Sequence, residues 1–464
     1  MAACARGNCW AEPLKLLSDM RTLLLELDVK SYGAALAGLE KEGRWVSAVC
    51  LLKELLDRGR RPDVMLMSGA ISTCGKAGEW AQSLWLMAAM TVRRLVPDLI
   101  SFNAAISACE KGENWLLALQ LLVDISLARL RRDVVSFASC ISAMEKGQQW
   151  VHALLLLQQM KQCHLESSVI ACNAALSSCE KGRRWEVALG IFREMRLIGQ
   201  EPGTISFAAA ASACGLERRW ESALELFREL QAMAVAPNAV LFGTLVSACE
   251  KGQEWAAALT LLMRAGRGTG RQGSTLASLS ACNAAISACE KGERWRPALQ
   301  LVAKLQHFGF RPDIITYNAA ISACEKCAQW DTALALLWAS RRCDGLEPTI
   351  NTCNSAVSAC EKAHQLALAM VLLSEMRTQR SLPDPDVITY NAVLRTCQSQ
   401  SSWRRAMDLL VEMKAILIQP EVVSYSTVAS AVESGRRPEL VMELLEGASL
   451  ESLSYLRKTT PKVG

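Results

Sequence analysis

The chain has 464 residues, 51% of them apolar, and a formal net charge of +5. Such a chain can bury a large core, and length alone suggests about three domains. The mild basic excess permits a polyanionic partner without demanding one. No run of about 18 apolar residues occurs, the densest stretch being Leu366 to Leu373, so no bilayer-spanning helix and no membrane partner are expected.

Taken from the N-terminus, the first eleven residues hold Arg6 and no acid, a composition compatible with a transit peptide but too short to define one. An apolar helix over roughly Leu14 to Leu27 reads as the second half of a degenerate repeat capping this end. From Val29 onward the chain repeats itself. Residues 101–112, Ser-Phe-Asn-Ala-Ala-Ile-Ser-Ala-Cys-Glu-Lys-Gly, recur at 281–292 with two changes, and degenerate copies fill the interval. With the residue after each Pro-Asp as position 1, repeats begin at Val29, Val64, Leu99, Val134, Val169, Thr204, Ala239, Leu279, Ile314, Ile350, Val387 and Val422. The spacing is 35 residues except in three longer units.

Each unit predicts two helices. In the third, Leu99, Phe102, Ile106 and Cys109 form one apolar stripe, and Trp115, Ala118, Leu119 and Leu122 form another. Asp63, Asp98, Asp133, Asp313 and Asp386 stand where a side chain can cap the next first helix. Between the two helices, Gly112, Gly147, Gly182, Gly252 and Gly292 stand where a left-handed cap is expected. Trp occupies position 17 in ten repeats, from Trp45 to Trp403, with Leu366 and Pro438 in the other two. Its place in the second stripe predicts inter-helix core rather than a base-stacking platform. Nine of the nineteen cysteines, Cys74, Cys109, Cys179, Cys214, Cys249, Cys289, Cys324, Cys360 and Cys397, share one repeat position. They read as small buried thiols in a reducing compartment, not as a disulfide framework.

A helix pair of this size cannot bury its apolar faces alone, so neighbours must stack. The expected fold is all-α: a right-handed superhelical α-solenoid of about twelve 35-residue helix-turn-helix repeats, with a long concave surface. Residues 1–28 form an N-terminal segment, 29–264 hold repeats one to seven, and 279–456 hold repeats eight to twelve. A Gly- and Ser-rich loop at 265–278 is expected to weaken the stack, and 457–464 form a tail.

A 35-residue two-helix unit with Asn at position 5, Ala at 20, Met near 30 and Pro-Asp at its end resembles the pentatricopeptide repeat family over roughly 29–456. Ile314-Ile-Thr-Tyr-Asn-Ala-Ala-Ile carries the likeness most clearly. The resemblance implies a non-enzymatic protein that binds single-stranded RNA, one base per repeat, in organellar RNA processing in chloroplast or mitochondrion, with RNA-processing proteins as further partners. It implies no cofactor, metal or small-molecule substrate.

By the same resemblance, position 5 and the repeat-end residue read the base, and an apolar residue at position 2 wedges between bases. Carried over, the reading pairs are Ser68 with Asp98, Asn103 with Asp133, Ala208 with Asn238, Asn283 with Asp313, Asn318 with Thr349 and Asn354 with Asp386. Asn173 and Asn391 stand at position 5 too, and Gly203 leaves Asn173 without the expected partner. The three Asn–Asp pairs imply uracil, Ser68 with Asp98 guanine, Asn318 with Thr349 a pyrimidine, and Ala208 with Asn238 adenine. The wedges are Ile100, Val135, Ile170, Ile205, Val240, Ile315 and Ile388, whereas Lys30, Ser280 and Asn351 replace the wedge in three repeats.

Simpler readings stand beside these. Asn at position 5 can be a tolerated first-turn residue, and the repeat-end Asp can be a cap alone. Lys76, Lys111, Lys146, Lys181, Lys251, Lys291, Lys326 and Lys362 share position 13, where they either track RNA phosphates or, each following Glu or another residue at position 12, form a solvated turn. A protein-binding scaffold using the same groove is the alternative function.

Three motif matches carry no chemistry. Gly268-Thr-Gly270-Arg-Gln-Gly273 lacks the preceding strand that a dinucleotide fingerprint needs. Cys324-Glu-Lys-Cys327 has no second pair at zinc spacing. His164-Leu-Glu166 lies inside a repeat, and the Pro-Cys-x-x-Cys that a cytidine deaminase requires has Ala323 for its Pro.

Overall fold

A computed structural model describes residues 15–16, 19, 29–233, 235–266, 278–305, 309–342, 346–379 and 382–435. Nearly all of the expected 14–27 helix, 267–277 of the expected loop with the Gly268–Gly273 motif, Pro438 and the 457–464 tail lie outside the described residues. Among the described residues there are twenty-three α-helices and no strand, divided between two compact units, residues 1–237 and 238–464.

The first unit holds α1 (Val29–Glu42), α2 (Trp45–Asp57), α3 (Val64–Ala77), α4 (Trp80–Val92), α5 (Leu99–Lys111), α6 (Trp115–Leu127), α7 (Val134–Lys146), α8 (Trp150–Gln162), α9 (Val169–Lys181), α10 (Trp185–Leu197), α11 (Thr204–Leu216) and α12 (Trp220–Ala232). The second holds α13 (Ala239–Lys251), α14 (Trp255–Gly266), α15 (Leu279–Lys291), α16 (Trp295–Leu305), α17 (Ile314–Lys326), α18 (Trp330–Arg342), α19 (Ile350–Lys362), α20 (Leu366–Thr378), α21 (Val387–Ser399), α22 (Trp403–Ala415) and α23 (Val422–Ser434). Odd-numbered helices are therefore the first helices of successive repeats, and even-numbered ones the second.

Within each unit every first helix packs side by side on the first helix of the next repeat, and each second helix packs on its own first helix and the following one. That is the stacking of an α-solenoid. The stack continues past the segment expected to weaken it, since α13 and α15 lie against each other like the other first helices.

Small residues make the close first-helix contact possible. In α5 the buried face is Phe102, Ala105, Ile106, Ala108 and Cys109, and in α6 it is Ala118, Leu121, Leu122 and Ile125. At Gly75 in α3, a Cβ would stand 2.7 Å from the carbonyl oxygen of Ala104 in α5. The nine repeated thiols are all fully buried. Burial pushes Cys109, Cys289 and Cys360 up from 9.0 to about 11, and Cys249 to about 12, which leaves them protonated and inert at neutral pH.

Two expectations need correction. The turn glycines are not left-handed: Gly112, Gly147, Gly182 and Gly292 have φ between −83° and −76°. The residues after them, Glu113, Gln148, Arg183 and Glu293, take the positive φ of the cap instead. Nor are the tryptophans fully buried: all ten at position 17 are half-buried, Trp295, Trp330 and Trp403 packing against the core from its edge. One cause explains both. Five of these indoles, Trp80, Trp115, Trp150, Trp255 and Trp403, lie on the turn glycine of the following repeat, so that a Cβ at Gly147 would come within 2.4 Å of Trp115 Cδ1, and one at Gly292 within 2.6 Å of Trp255 Cδ1. Glycine is required there for space rather than for its backbone freedom. Arg184 and Arg294 then cover the outer faces of Trp150 and Trp255, with the guanidinium carbon 4.9 and 5.4 Å from the ring centroids.

Candidate nucleic-acid interface

At 100° per residue, positions 2, 5, 9, 12 and 13 of a first helix fall within an arc of about 100°, so one face carries all of them. Because first helices lie side by side, that face recurs at every repeat of a unit.

The repeat-end residues do cap the next helix. Asp63, Asp98, Asp133, Ser168, Asn238, Asp313, Thr349 and Asp386 each accept a hydrogen bond from the third backbone N–H of the helix they precede. The same carboxylates also reach back to the preceding repeat. Asn103 Nδ2 donates to the Asp133 carboxylate at 3.2 and 3.3 Å, Asn283 to Asp313 at 3.1 and 3.2 Å, and Asn354 to Asp386 at 3.2 and 3.3 Å. Ser68 Oγ lies 3.2 Å from Asp98 Oδ1. Three Asn–Asp pairs and the Ser–Asp pair are thus assembled side chain to side chain. Asn318 and Thr349 share no hydrogen bond of this kind; Thr349 Oγ1 instead lies 2.9 Å from Thr352 Oγ1. Ala208 and Asn238 belong to different units.

A third member of this cluster was not read from the sequence. Ser136 Oγ donates to Asn103 Oδ1 at 2.6 Å, and Thr316 Oγ1 donates to Asn283 Oδ1 at 2.6 Å. The hydroxyls of Thr352 and Thr389 make the same bond to Asn318 and Asn354. Asn173, left unpartnered by Gly203 on the sequence reading, has Ser206 Oγ at 2.6 Å, and Asn391 has Ser424 Oγ at 2.6 Å. The signal was present as Ser or Thr at position 3, but its bond crosses to the preceding repeat, which helical periodicity within a repeat does not show.

The position-2 residues form an exposed apolar row. Ile100, Val135, Ile170, Ile205, Val240, Ile315 and Ile388 are 55% to 68% exposed, although their neighbours at position 4 are buried. Met65 and Val423 hold the same register and were missed; Met65 is 83% exposed. β-branched side chains held in water at one repeated position gain nothing for the fold.

The position-13 lysines lie further along the same face, about 12 Å along the axis from position 5 and about 16 Å from position 2. Each of several is engaged by the preceding repeat. Glu145 Oε1 accepts from Ser177 Oγ at 2.9 Å and Lys181 Nζ at 3.2 Å; Glu250 Oε1 accepts from Ser287 and Lys291, both at 2.9 Å. Lys76, Lys146, Lys326 and Lys362 pair likewise with Glu40, Glu110, Glu290 and Glu325 at 3.2 to 3.6 Å. Lys111 Nζ donates to the Lys76 carbonyl at 2.9 Å. These side chains stay one-third to one-half exposed, so the pairs are clamps between repeats that keep an ammonium at the surface.

Among the described residues no group of three or more His, Cys, Asp or Glu side chains could hold a metal, and no helix is long and apolar enough to cross a membrane. Cys324 is buried while Cys327 Sγ turns to the Glu293 carbonyl at 3.2 Å.

Stacked helical hairpins whose first helices carry, in most repeats, an exposed apolar residue and a polar cluster on one face define a modular helical-repeat protein. A model of the pentatricopeptide repeat domain matches residues 155–217, 340–398 and 384–433, and a model of the PPR repeat matches 30–60 and 205–234. The crystal structure of the pentatricopeptide repeat protein PPR10 from maize is similar over 97% of this chain and 68% of that one, at 19% identity and a TM-score of 0.51. The structure of PPR10 in complex with an 18-nt psaJ RNA element aligns over 96% of this chain and 78% of that one, at 17% identity and a TM-score of 0.41. No curated protein matches the chain. The chain thus carries pentatricopeptide repeats over these segments.

Proposed function

We propose that the chain binds single-stranded RNA along the face of its first helices, reading one base per repeat where position 5 is polar, and that it acts without catalysis on organellar transcripts. The organellar role rests on the family alone. The observation that carries the RNA reading is the pair of position-5 amide and repeat-end carboxylate, built three times over around Asn103, Asn283 and Asn354, with an exposed apolar residue at position 2 of the repeat that follows each, Val135, Ile315 and Ile388. A cap alone has no use for the amide, and a buried core has no use for the exposed isoleucine.

In this reading the amide and carboxylate face the base edge, and the position-2 side chains separate successive bases. Position-13 ammonium groups follow the phosphates from the far end of the same face. The second unit holds four consecutive amides, Asn283, Asn318, Asn354 and Asn391, and is the stronger half of the site. The first unit reads discontinuously, at Ser68, Asn103 and Asn173, because Gly33, Ala138 and Ala208 offer no side-chain hydrogen bond.

The test is selection of a random single-stranded RNA pool by the purified chain at fixed salt, with the retained RNA sequenced. Enrichment of a tract with uracil at the steps of Asn283 and Asn354 is expected, and the first of these preferences disappears in Asn283→Ala. Retention no greater than that of an unrelated polyanion would end the RNA reading and turn attention to protein partners for the same face.

A further inference from the structure

The position-3 hydroxyls follow a rule that capping alone does not explain, although Thr316, Thr352, Thr389 and Ser424 also accept from the backbone N–H of the residue that caps their helix. After Ser68, Asn103, Asn173, Asn283, Asn318, Asn354 and Asn391 the next repeat carries Ser or Thr at position 3: Ser101, Ser136, Ser206, Thr316, Thr352, Thr389 and Ser424. After Gly33, Ala138, Ala208 and Gly243 it carries Leu66, Ala171, Leu241 and Ala281. The site itself is buried in either case. A buried hydroxyl needs an acceptor: Ser206, Thr352 and Ser424 find the amide oxygen across the repeat boundary, Ser136, Thr316 and Thr389 lie between that oxygen and the repeat-end carboxylate, and Ser101 lies on Asp98 and Ser68.

Where a carboxylate stands beside the amide it fixes which way the amide faces, and the hydroxyl meets the amide oxygen. At Asn103, a flipped amide would set Oδ1 against the Asp133 carboxylate, two acceptors at hydrogen-bond distance, so Nδ2 belongs on the Asp133 side and Oδ1 on the Ser136 side. Asn391 reaches the same orientation without an aspartate. There the Glu421 backbone N–H donates to Ser424 Oγ at 3.2 Å, which commits the hydroxyl proton to Asn391 Oδ1 at 2.6 Å. The hydroxyl is therefore the partner common to all six asparagines, whereas the aspartate serves three.

We infer that the position-3 Ser and Thr are positioning residues for base selection: each turns the preceding amide carbonyl inward and leaves an amide N–H for a base carbonyl. An N–H so presented favours uracil, whose O4 accepts, over cytosine, whose N4 is a donor. This rests on the RNA reading proposed above. The fold tolerates loss of the hydroxyl, since Ala171 and Ala281 already occupy the position.

The experiment uses the full chain, Ser136→Ala, Ser136→Thr and Asn103→Ala, with RNA probes differing only by U or C at the nucleotide facing Asn103. The preference for U is expected to fall about tenfold in Ser136→Ala, the worth of one hydrogen bond, with other steps unchanged and Ser136→Thr restoring it. A full preference in Ser136→Ala beside its loss in Asn103→Ala overturns the inference, as does equal weakening of every probe. A second measurement needs no RNA: in asparagine-labelled protein, the Asn103 side-chain NH2 resonances should be dispersed and slow to exchange, and collapse towards free-amide behaviour in Ser136→Ala. If the wild-type chain binds no RNA, the RNA reading fails and these resonances alone decide the hydroxyl's role; unchanged resonances overturn it.

Discussion

Trp115 lies on Gly147 of the following repeat so closely that a Cβ added to the glycine would stand 2.4 Å from the indole Cδ1 and 2.7 Å from Cγ. Gly147 has φ of −76°, a value alanine adopts freely, and alanine normally stabilises such a position. Gly147→Ala is nevertheless expected to destabilise the first unit by about 1–3 kcal/mol through overpacking. Chemical denaturation of Gly147→Ala, Trp115→Leu and the double variant checks the cause: the cost of the alanine should vanish once the indole is gone.

This contact marks the limit of what the sequence reveals. Helix starts were legible because Asp63, Asp98 and Asp133 are caps with a local mechanism, and the helices themselves because apolar stripes follow a 3.6 period within thirteen residues. Gly112 was legible as a turn, but the reason for it was not, because the reason is Trp80 in the preceding repeat. Asn103 and Asp133 were legible as a pair only through the family resemblance. Ser136 was overlooked although its identity varies in step with the preceding position 5. What escaped in each case is a contact across a repeat boundary, which single-repeat patterns do not encode.

The buried thiols make stability sensitive to alkali. Their folded-state values, about 11 for Cys109, Cys289 and Cys360, lie above the ordinary 9.0, and the first cause is burial. A thiol whose folded-state value is raised binds its proton more tightly when folded, so its contribution is complete below pH 9 and is lost as pH rises from 9 towards 11. The thermal midpoint should therefore hold steady to about pH 8.5 and fall above it, and replacing Cys109 and Cys289 with Ala should make the fall shallower. Alkylation of the native chain at pH 8 should mark the exposed Cys50 and Cys163 and spare Cys109, Cys289 and Cys360.

Asp133 holds two duties that substitutions can separate. Its carboxylate accepts from the Ser136 backbone N–H at 2.7 Å as the cap of α7 and from Asn103 Nδ2 at 3.2 Å. Asp133→Ala should lower stability by about 1 kcal/mol, as loss of a cap does, whereas Asp133→Asn keeps the cap within about 0.5 kcal/mol. Both should blunt base preference at the Asn103 step, because neither offers the amide a carboxylate. If Asp133→Asn selected RNA like the parent chain, the carboxylate would be a cap and nothing more.

The exposed position-2 row separates binding from folding most cleanly. Ile170 is 68% exposed, and a side chain left in water contributes little to the folded state, so Ile170→Ser should change stability by no more than about 0.5 kcal/mol. Wedging between two bases would bury the isoleucine only in the complex, with aliphatic contact to base faces on both sides. Affinity for a selected RNA should then fall several-fold in Ile170→Ser, by a similar factor whichever bases flank the step, since every base has an apolar face. Val135→Ser and Ile205→Ser should behave alike, and combining the three should multiply the losses because the sites lie a repeat apart. Denaturation midpoints beside binding isotherms check it: a stability loss matching the affinity loss would make these residues part of the stack, and intact affinity would remove them from the interface.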